Sequence, residues 1–229
     1  MPQIAGIVGT KGGTGKSTVT MGLGSELRLR GFRIAIVDGD ERQRTASKWS
    51  DVAAERGHVV PSVVCVGEAL PAQLPSMARS RDSDLILVDM PCRLEARTEH
   101  VIGHCDLVLV PCGPSAPELW ELATTLDQIR DVQRRKRALR AAIVINGKIP
   151  RTQMARDARA TLTADPELVA RGIPVLESEI HLLVPHAYAW AAGQGVTEYD
   201  PQSTAAVETR ALADEVSALL GLRRPRGKR

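Results

Sequence analysis

Residues 10–18, Thr-Lys-Gly-Gly-Thr-Gly-Lys-Ser-Thr, carry the clearest chemistry in this sequence of 229 residues. They follow an apolar run at residues 4–8 and precede a helical pattern that ends near Arg30. Glycines let backbone N–H groups converge on an anion because no Cβ blocks the approach, and a helix N-terminus adds partial positive charge. Lys16 can reach outer phosphates, and the Ser17 hydroxyl can ligate Mg²⁺. The expected nucleotide-binding residues are Gly12, Gly13, Thr14, Gly15, Lys16, Ser17 and Thr18.

The loop departs from the general phosphate-binding pattern because Thr10 stands where a glycine is expected. A second lysine, Lys11, lies inside the loop instead. The form Lys-Gly-Gly-x-Gly-Lys-Ser-Thr resembles the deviant Walker A motif of the ParA/MinD family of ATPases. The resemblance implies that Lys11 reaches across a nucleotide-sandwich dimer to the partner's phosphates. The alternative is a solvated turn with two exposed lysines, which the flanking strand and helix patterns disfavour.

Composition and patterning favour one large α/β domain. Aromatic residues make up 3% of the chain, so its core must be built from Ala, Val, Leu and Ile. No apolar run is long enough to span a bilayer, and no secretory signal is evident. Cys65, Cys92, Cys105 and Cys112 form no CxxC pair. We interpret them as reduced thiols of a cytoplasmic protein, with a metal or iron–sulfur site as the alternative.

Apolar, β-branched runs alternate with helical patterns along the chain. The predicted strands are residues 4–8, 33–37, 62–66, 85–89, 107–111, 142–146 and 173–176. The predicted helices are residues 17–30, 45–56, 68–80, 95–103, 118–135, 152–164 and 204–220. This alternation predicts a single-domain, doubly wound α/β fold, with a mostly parallel sheet flanked by helices and ligands at the carboxyl ends of its strands. The domain is expected to span residues 1–222, and residues 223–229 are expected to form a disordered basic tail.

Two carboxylates, Asp38 and Asp40, end the second predicted strand. The ParA/MinD family has Asp-x-Asp here, so the resemblance implies that Asp40 positions the attacking water and that Asp38 supports the Mg²⁺ shell. The family usually continues with Pro-Gln, whereas this chain has Glu-Arg-Gln at residues 41–43 and so carries one extra residue. The alternative is an Asp-Gly-Asp turn that caps the next helix.

The fourth predicted strand also ends in a carboxylate, Asp89, followed by Met90 and Pro91. This segment resembles a Walker B strand followed by the family's proline. The resemblance implies that Asp89 holds a metal-bound water or the Ser17 hydroxyl.

Two further residues are candidates for contact with the adenine base. Asn146 ends the sixth predicted strand, and its amide can both donate to and accept from one edge of adenine. A capping or turn role is the alternative. Residues 180–196 resemble the family's late loop and helix, where Pro185 would pack beside the base, and residues 207–212 resemble its closing helix.

The resemblance implies ATP hydrolysis with Mg²⁺, in which Lys16 neutralises the phosphates and Lys11 completes the site of the partner copy in a homodimer. ATP would hold the dimer together, and slow hydrolysis would release it. The expected role is partition of plasmid or chromosomal DNA, through non-specific DNA binding at the nucleoid and a ParB-like or small ribbon-type partner protein. Positioning of a protein cargo, MinD-like action at a membrane and an ATP-dependent ligase are the alternatives.

Net charge is only +3, but two basic clusters could contact DNA phosphates. Together with two isolated arginines, they comprise Arg134, Arg135, Lys136, Arg137, Arg140, Arg151, Arg156, Arg223, Arg224, Arg226, Lys228 and Arg229. The alternative is that these residues form solvated helix faces. Binding to a membrane is disfavoured, because the C-terminal segment breaks at Gly221 and Pro225 and contains no aromatic residue.

Overall fold

A computed structural model describes residues 1–92 and 96–223 of the chain. Its strands are β1 (Gln3–Ile7), β2 (Ile34–Asp38), β3 (Ser62–Cys65), β4 (Leu85–Asp89), β5 (Leu107–Cys112), β6 (Arg140–Lys148) and β7 (Val175–His181). They form one sheet in the order β3-β2-β4-β1-β5-β6-β7, and every neighbouring pair is parallel. The predicted doubly wound α/β fold is therefore confirmed.

Helices cover both faces of this sheet. They are α1 (Lys16–Leu29), α2 (Thr45–Glu55), α3 (Leu70–Met77), α4 (Ala96–His104), α5 (Ala116–Arg135), α6 (Gln153–Ala164), α7 (Pro166–Arg171), α8 (Val184–Ala191), α9 (Val196–Tyr199) and α10 (Thr204–Leu220). Local side chains set several of the ends: the Ser203 hydroxyl accepts the Ala206 N–H at the start of α10, and Gly221 ends that helix in the left-handed conformation. Within the described residues, none of these helices is both long and apolar enough to cross a membrane.

The core consists of two apolar layers, one on each face of the sheet. One layer packs side chains of α1, α2 and α10 against the strands, as with Leu23, Trp49 and Val216. The other packs side chains of α3 to α7, as with Leu74 and Ile129. Strands buried on both faces explain why their sequences are almost continuously apolar.

The seventh strand differs from its prediction. It begins at Val175 and runs to His181, whereas apolar content placed it at residues 173–176. Because β7 is an edge strand, only Leu176, Ser178 and Ile180 point into the protein, and its alternating acidic residues obscured the pattern. The carboxylate of Glu215 in α10 accepts the N–H groups of Glu177 and Ser178 and so covers part of this edge.

Other differences are smaller. Strand β6 is longer than residues 142–146, α3 is shorter than residues 68–80 and follows a 3₁₀ turn at Gly67–Ala69, and the short helices α7 and α9 were not predicted. The fourth helix was expected to begin at Glu95, which lies outside the described residues, as do residues 224–229 of the expected tail.

Strand register brings the three main sequence motifs together. Asp89 at the end of β4 is paired with Asp38 at the end of β2 and with Ile7 at the end of β1. The glycine-rich loop follows β1 directly, so the loop and both carboxylates meet at one place on the carboxyl edge of the sheet.

Candidate nucleotide-binding site

The glycine-rich loop adopts a conformation that requires glycine at two positions. Gly13 and Gly15 have φ angles of 84° and 86°, in the left-handed region. A Cβ on Gly15 would lie 2.0 Å from Nδ2 of Asn146. That amide donates a hydrogen bond of 2.6 Å to the carbonyl oxygen of Thr14, so strand β6 holds the back of the loop.

Lys16 begins α1 and is only 6% exposed. Its ammonium donates to the carbonyl oxygen of Lys11 at 3.1 Å and to Sγ of Cys92 at 3.0 Å. Across residues 1–92 and 96–223, no carboxylate lies within salt-bridge distance of it. A buried ammonium without a carboxylate partner is suited to hold a phosphate.

Asp89 and Ser17 form the predicted pair. Asp89 is 4% exposed, and the Ser17 hydroxyl lies close enough to favour its charged form. Burial raises the pKa of Asp89 to about 7, and the negative charge of nearby Asp38 adds to the rise, while the Ser17 hydroxyl and Lys16 oppose it. The hydroxyl of Ser17 and the carboxylates of Asp38 and Asp89 are hard oxygen ligands that lie near one another. Such a group suits a divalent cation such as Mg²⁺.

Asp38 makes the contacts of the helix-capping alternative, whereas Asp40 stabilises the turn that precedes α2. Asp38 is buried, and its carboxylate accepts the backbone N–H and the hydroxyl of Ser47, near the start of α2, at 3.0 Å and 2.9 Å. The carboxylate of Asp40 accepts the N–H groups of Arg42 and Gln43 at 3.0 Å and 2.9 Å. Because a carboxylate has four acceptor positions, these bonds orient both groups and leave positions open toward the site. The roles of Asp38 at the metal and of Asp40 at the attacking water remain predictions.

Lys11 is half-buried in the loop. Its backbone carbonyl accepts from Lys16, whereas its ammonium has neither a hydrogen bond nor an ion pair within the part of the chain that the structure describes. Beside it, Thr10 is fixed to α5, because its hydroxyl donates to the Glu121 carboxylate at 3.1 Å. Lys11 itself lines a small pocket between the loop and α5, together with Cys112 and Glu118, and its ammonium has no partner in its own described chain.

A cavity of about 280 Å³ lies between these elements. Its wall contains most of the predicted residues, together with five that the sequence did not single out for the site: Gln43, Thr45, Met90, Cys92 and Trp190. Trp190 is one of three tryptophans, and it lies in α8 within the segment expected near the base. Cys92 lies three residues after Asp89, and no sequence pattern identifies it as a residue of the site.

The two candidates for base contact lie outside this cavity wall. Asn146 stands behind the loop and contacts Thr14, and Pro185 is half-buried in the first turn of α8. Their contact with adenine remains a prediction. A second cavity of about 350 Å³ adjoins the first and shares Asp40, Gln43, Met90 and Cys92 with it.

A parallel α/β sheet with a glycine-rich loop after β1, a buried lysine and a serine–aspartate pair defines a P-loop nucleotide-binding protein. Such sites bind a nucleoside triphosphate together with Mg²⁺. The family described as "CobQ/CobB/MinD/ParA nucleotide binding domain" matches residues 6–189, and the chain belongs to it. The protein is thus an ATPase of the ParA/MinD type, as the loop predicted.

Individual relatives match nearly the whole chain. It is 27% identical over 215 residues to "Maintenance of carboxysome distribution protein A" of Halothiobacillus neapolitanus, covering 93% of each chain. It is 29% identical over 238 residues to "Chromosome-partitioning ATPase Soj" of Thermus thermophilus, covering 91% of this chain and 92% of the relative. Its fold matches the septum site-determining protein MinD of Pyrococcus horikoshii, solved with Mg-ADP, at a TM-score of 0.70 and 22% identity, covering 99% and 100% of the two chains.

Proposed function

We propose that this protein is an ATP-dependent dimerising switch that partitions DNA. The observation that carries the proposal is Lys11, a half-buried residue of the phosphate-binding loop that lies outside the wall of its own nucleotide cavity and whose ammonium has no partner among the described residues. A cation held at that place is stabilised when a second copy brings its triphosphate against it. The other lysine of the loop, Lys16, is buried and lines the cavity of its own chain, so the proposal assigns the two lysines to different triphosphates.

In this proposal two copies meet through the carboxyl edges of their sheets. Each Lys16 binds the phosphates of its own ATP, and each Lys11 binds those of the other copy. Bound ATP and Mg²⁺ supply the phosphoryl group and the metal charge, while Ser17 and Asp89 hold the metal and Asp40 orients water. After hydrolysis Lys11 loses its phosphate contact, so the dimer separates.

Binding to DNA is assigned to the amino edge of the sheet. The Arg140 guanidinium donates to the carbonyl oxygen of Leu219, which brings the end of α10 beside the start of β6. Arg223, the described residue of the C-terminal cluster, follows the end of α10. We define the amino-edge surface as Arg134, Arg135, Arg137, Arg140 and Arg223. Arginines on one surface bind phosphates without reading the base sequence, and such binding weakens steeply with salt. A ParB-like or small ribbon-type partner would then stimulate hydrolysis.

A protein cargo is the second candidate, and the comparison with the Halothiobacillus protein favours it. That relative is named for carboxysome distribution and matches this chain over 93% of its length. The same ATP-dependent switch serves both functions, because the cargo is chosen by another protein. Action at a membrane has less support, since α10 ends at Leu220 and residues 222–229 contain a single bulky apolar residue, Leu222, among basic ones.

Co-sedimentation of the Asp40→Ala variant tests the proposal, because loss of the water-orienting carboxylate should hold the protein in its ATP state. We expect that it pellets with random-sequence DNA in ATP but not in ADP, and that it stays in solution with anionic vesicles. Equal binding of DNA in ATP and ADP would contradict an ATP-dependent switch. Pelleting with vesicles alone would support membrane action instead.

A further inference from the structure

The thiol of Cys92 lies against the phosphate-binding loop. We propose that Cys92 is a modification site for small electrophiles and peroxides, and that modification of this thiol and binding of ATP exclude each other. The inference depends on the nucleotide site itself and not on dimerisation or DNA binding.

A buried cation points at this thiol. The ammonium of Lys16, which is 6% exposed, lies 3.0 Å from Sγ of Cys92, and its other described acceptor is the Lys11 carbonyl oxygen at 3.1 Å. A buried ammonium without a carboxylate partner attracts an anion. Reactive cysteines are found in electropositive and partly exposed surroundings of this kind.

The thiol is also open to small molecules. Cys92 is half-buried and lines both cavities of the carboxyl edge, of about 280 Å³ and 350 Å³. The other cysteines differ: Cys105 and Cys112 are buried, and burial raises the pKa of each thiol to about 12, so they should be inert. Cys65, at the end of β3, is half-buried as Cys92 is, but the described residues give it no cation contact, so it is a matched internal control.

An adduct on Cys92 would occupy the place that the phosphates need. A Cβ built on Gly12 would lie 3.8 Å from Sγ, so the sulfur lies beside the loop at a distance that one side-chain atom would fill. A group added to the sulfur extends into the cavities that Cys92 lines, where it competes with the ammonium of Lys16 for the same space. Conversely, when Lys16 contacts the phosphates of ATP, its ammonium moves away from the thiol of Cys92. The thiol then lacks a neighbouring cation, and the bound nucleotide keeps reagents from reaching it.

Two reagent classes can carry out the modification with balanced chemistry. With a maleimide, Sγ forms a bond to one alkene carbon, and the thiol proton ends on the other. With hydrogen peroxide, Sγ forms a bond to one oxygen as the O–O bond breaks, and the second oxygen leaves as water with the thiol proton. The sulfur is then oxidised by two electrons to a sulfenic acid, which thiol reductants reverse.

Labelling of the full chain by N-ethylmaleimide, read by peptide mass spectrometry, tests the inference. Without nucleotide, we expect Cys92 to react at least about tenfold faster than Cys65. A non-hydrolysable ATP analogue with Mg²⁺ should slow the labelling of Cys92 and leave that of Cys65 unchanged. The Lys16→Ala variant should label more slowly at Cys92 alone, provided that its Tm shows that it is folded.

ATP binding provides the second readout. Labelled wild-type protein should lose ATP binding in proportion to its Cys92 adduct, and Cys65→Ser should behave as wild type. The Cys92→Ser variant should keep its ATP binding after treatment with N-ethylmaleimide, when compared with its own untreated sample. Hydrogen peroxide should lower ATP binding in the same proteins, and a thiol reductant should restore it. Equal rates at Cys92 and Cys65, no protection by the analogue, or ATP binding by labelled protein would each overturn the proposal. Failure of the unlabelled wild type to bind ATP would instead contradict the nucleotide assignment.

Discussion

The two edges of the sheet both carry clustered basic residues, but they use them differently. At the carboxyl edge, Lys11 and Lys16 have no carboxylate partner among the residues described. At the amino edge, Arg134 pairs with Asp131 at 2.7 Å, Arg135 pairs with Glu99 at 2.9 Å, and the Lys136 ammonium donates to the Cys105 carbonyl oxygen at 2.7 Å. Clusters that look equivalent in the sequence therefore differ in how much charge remains available.

The difference shows which basic residues are committed to the fold and which are free for a ligand. Exposed ion pairs such as that of Arg134 contribute little to stability, so a polyanion can replace the carboxylate at small cost. The buried ammonium of Lys16 is in the opposite situation, because removal from water is costly unless an anion compensates. We therefore expect large effects from changes at the carboxyl edge and graded effects from changes at the amino edge.

The largest effect is expected from Lys16→Ala. The change removes the buried cation that holds the phosphates, so ATP affinity should fall by about 30-fold or more. Isothermal titration with an ATP analogue measures this affinity. Lys48→Ala is the control, because this exposed lysine of α2 lies outside the cavity, and it should bind the analogue as wild type does. Comparable losses in both variants would remove the distinction between buried and exposed lysines.

A smaller effect separates two glycines of the same loop. Gly13→Ala places a Cβ in open space and should cost about 1–2 kcal/mol, from its left-handed backbone alone. Gly15→Ala carries the same backbone cost and also meets the buried Asn146 amide, so its loss of stability should be clearly larger. Chemical denaturation of the nucleotide-free variants measures both values. Equal losses would show that β6 does not hold the loop.

At the amino edge we expect partial and additive effects. Arg137→Ala and Arg223→Ala should each lower the salt slope of DNA binding by about one, because each removes one phosphate contact. The comparison variant is Arg156→Ala, at the carboxyl edge, where the guanidinium already donates to Gln153. If Arg156→Ala lowers the slope and the other two do not, DNA binds at the opposite edge of the sheet.

The smallest effect is a pH dependence at α8. His186 is buried, and burial lowers the pKa of its imidazole below the ordinary 6.5. As the pH falls below 6.5, His186 becomes protonated in the unfolded chain while it stays neutral in the folded chain. The contribution of His186 to the free energy of unfolding is therefore complete above that pH and declines below it. The slope should reach at most about 1.4 kcal/mol per pH unit. Melting curves at several pH values should show it in wild type and not in His186→Gln; identical curves would contradict it.

Sequence patterns identified the parts of the site that are contiguous in the chain. Loop residues 10–18 are such a part. The carboxylates that end buried strands are far apart in the chain, but they could be placed together because parallel register brings the ends of the strands together. Most buried strands were placed within one or two residues for the same reason: both of their faces are apolar. Edge strand β7 was largely missed, because Glu177 and Glu179 alternate with its inward side chains.

Contacts between distant segments could not be predicted in this way. No local pattern joins Cys92 to Lys16, or Asn146 to Thr14, because each contact depends on how separate strands and loops pack. Charge clusters were also ambiguous, since the partners of Arg135 and Arg140 lie 36 and 79 residues away in the chain. The role of a cation depends on these partners, which only the folded structure provides.

Light scattering of the Asp40→Ala protein with ATP and Mg²⁺ tests the central claim most directly, with and without the added change Lys11→Ala. We predict that the mass rises from the monomer value of 24.7 kDa to twice that value when Lys11 is present. With Lys11→Ala the protein should still bind ATP but remain a monomer. Dimers of equal stability with and without Lys11, or a monomer at saturating ATP when Lys11 is present, would contradict the account.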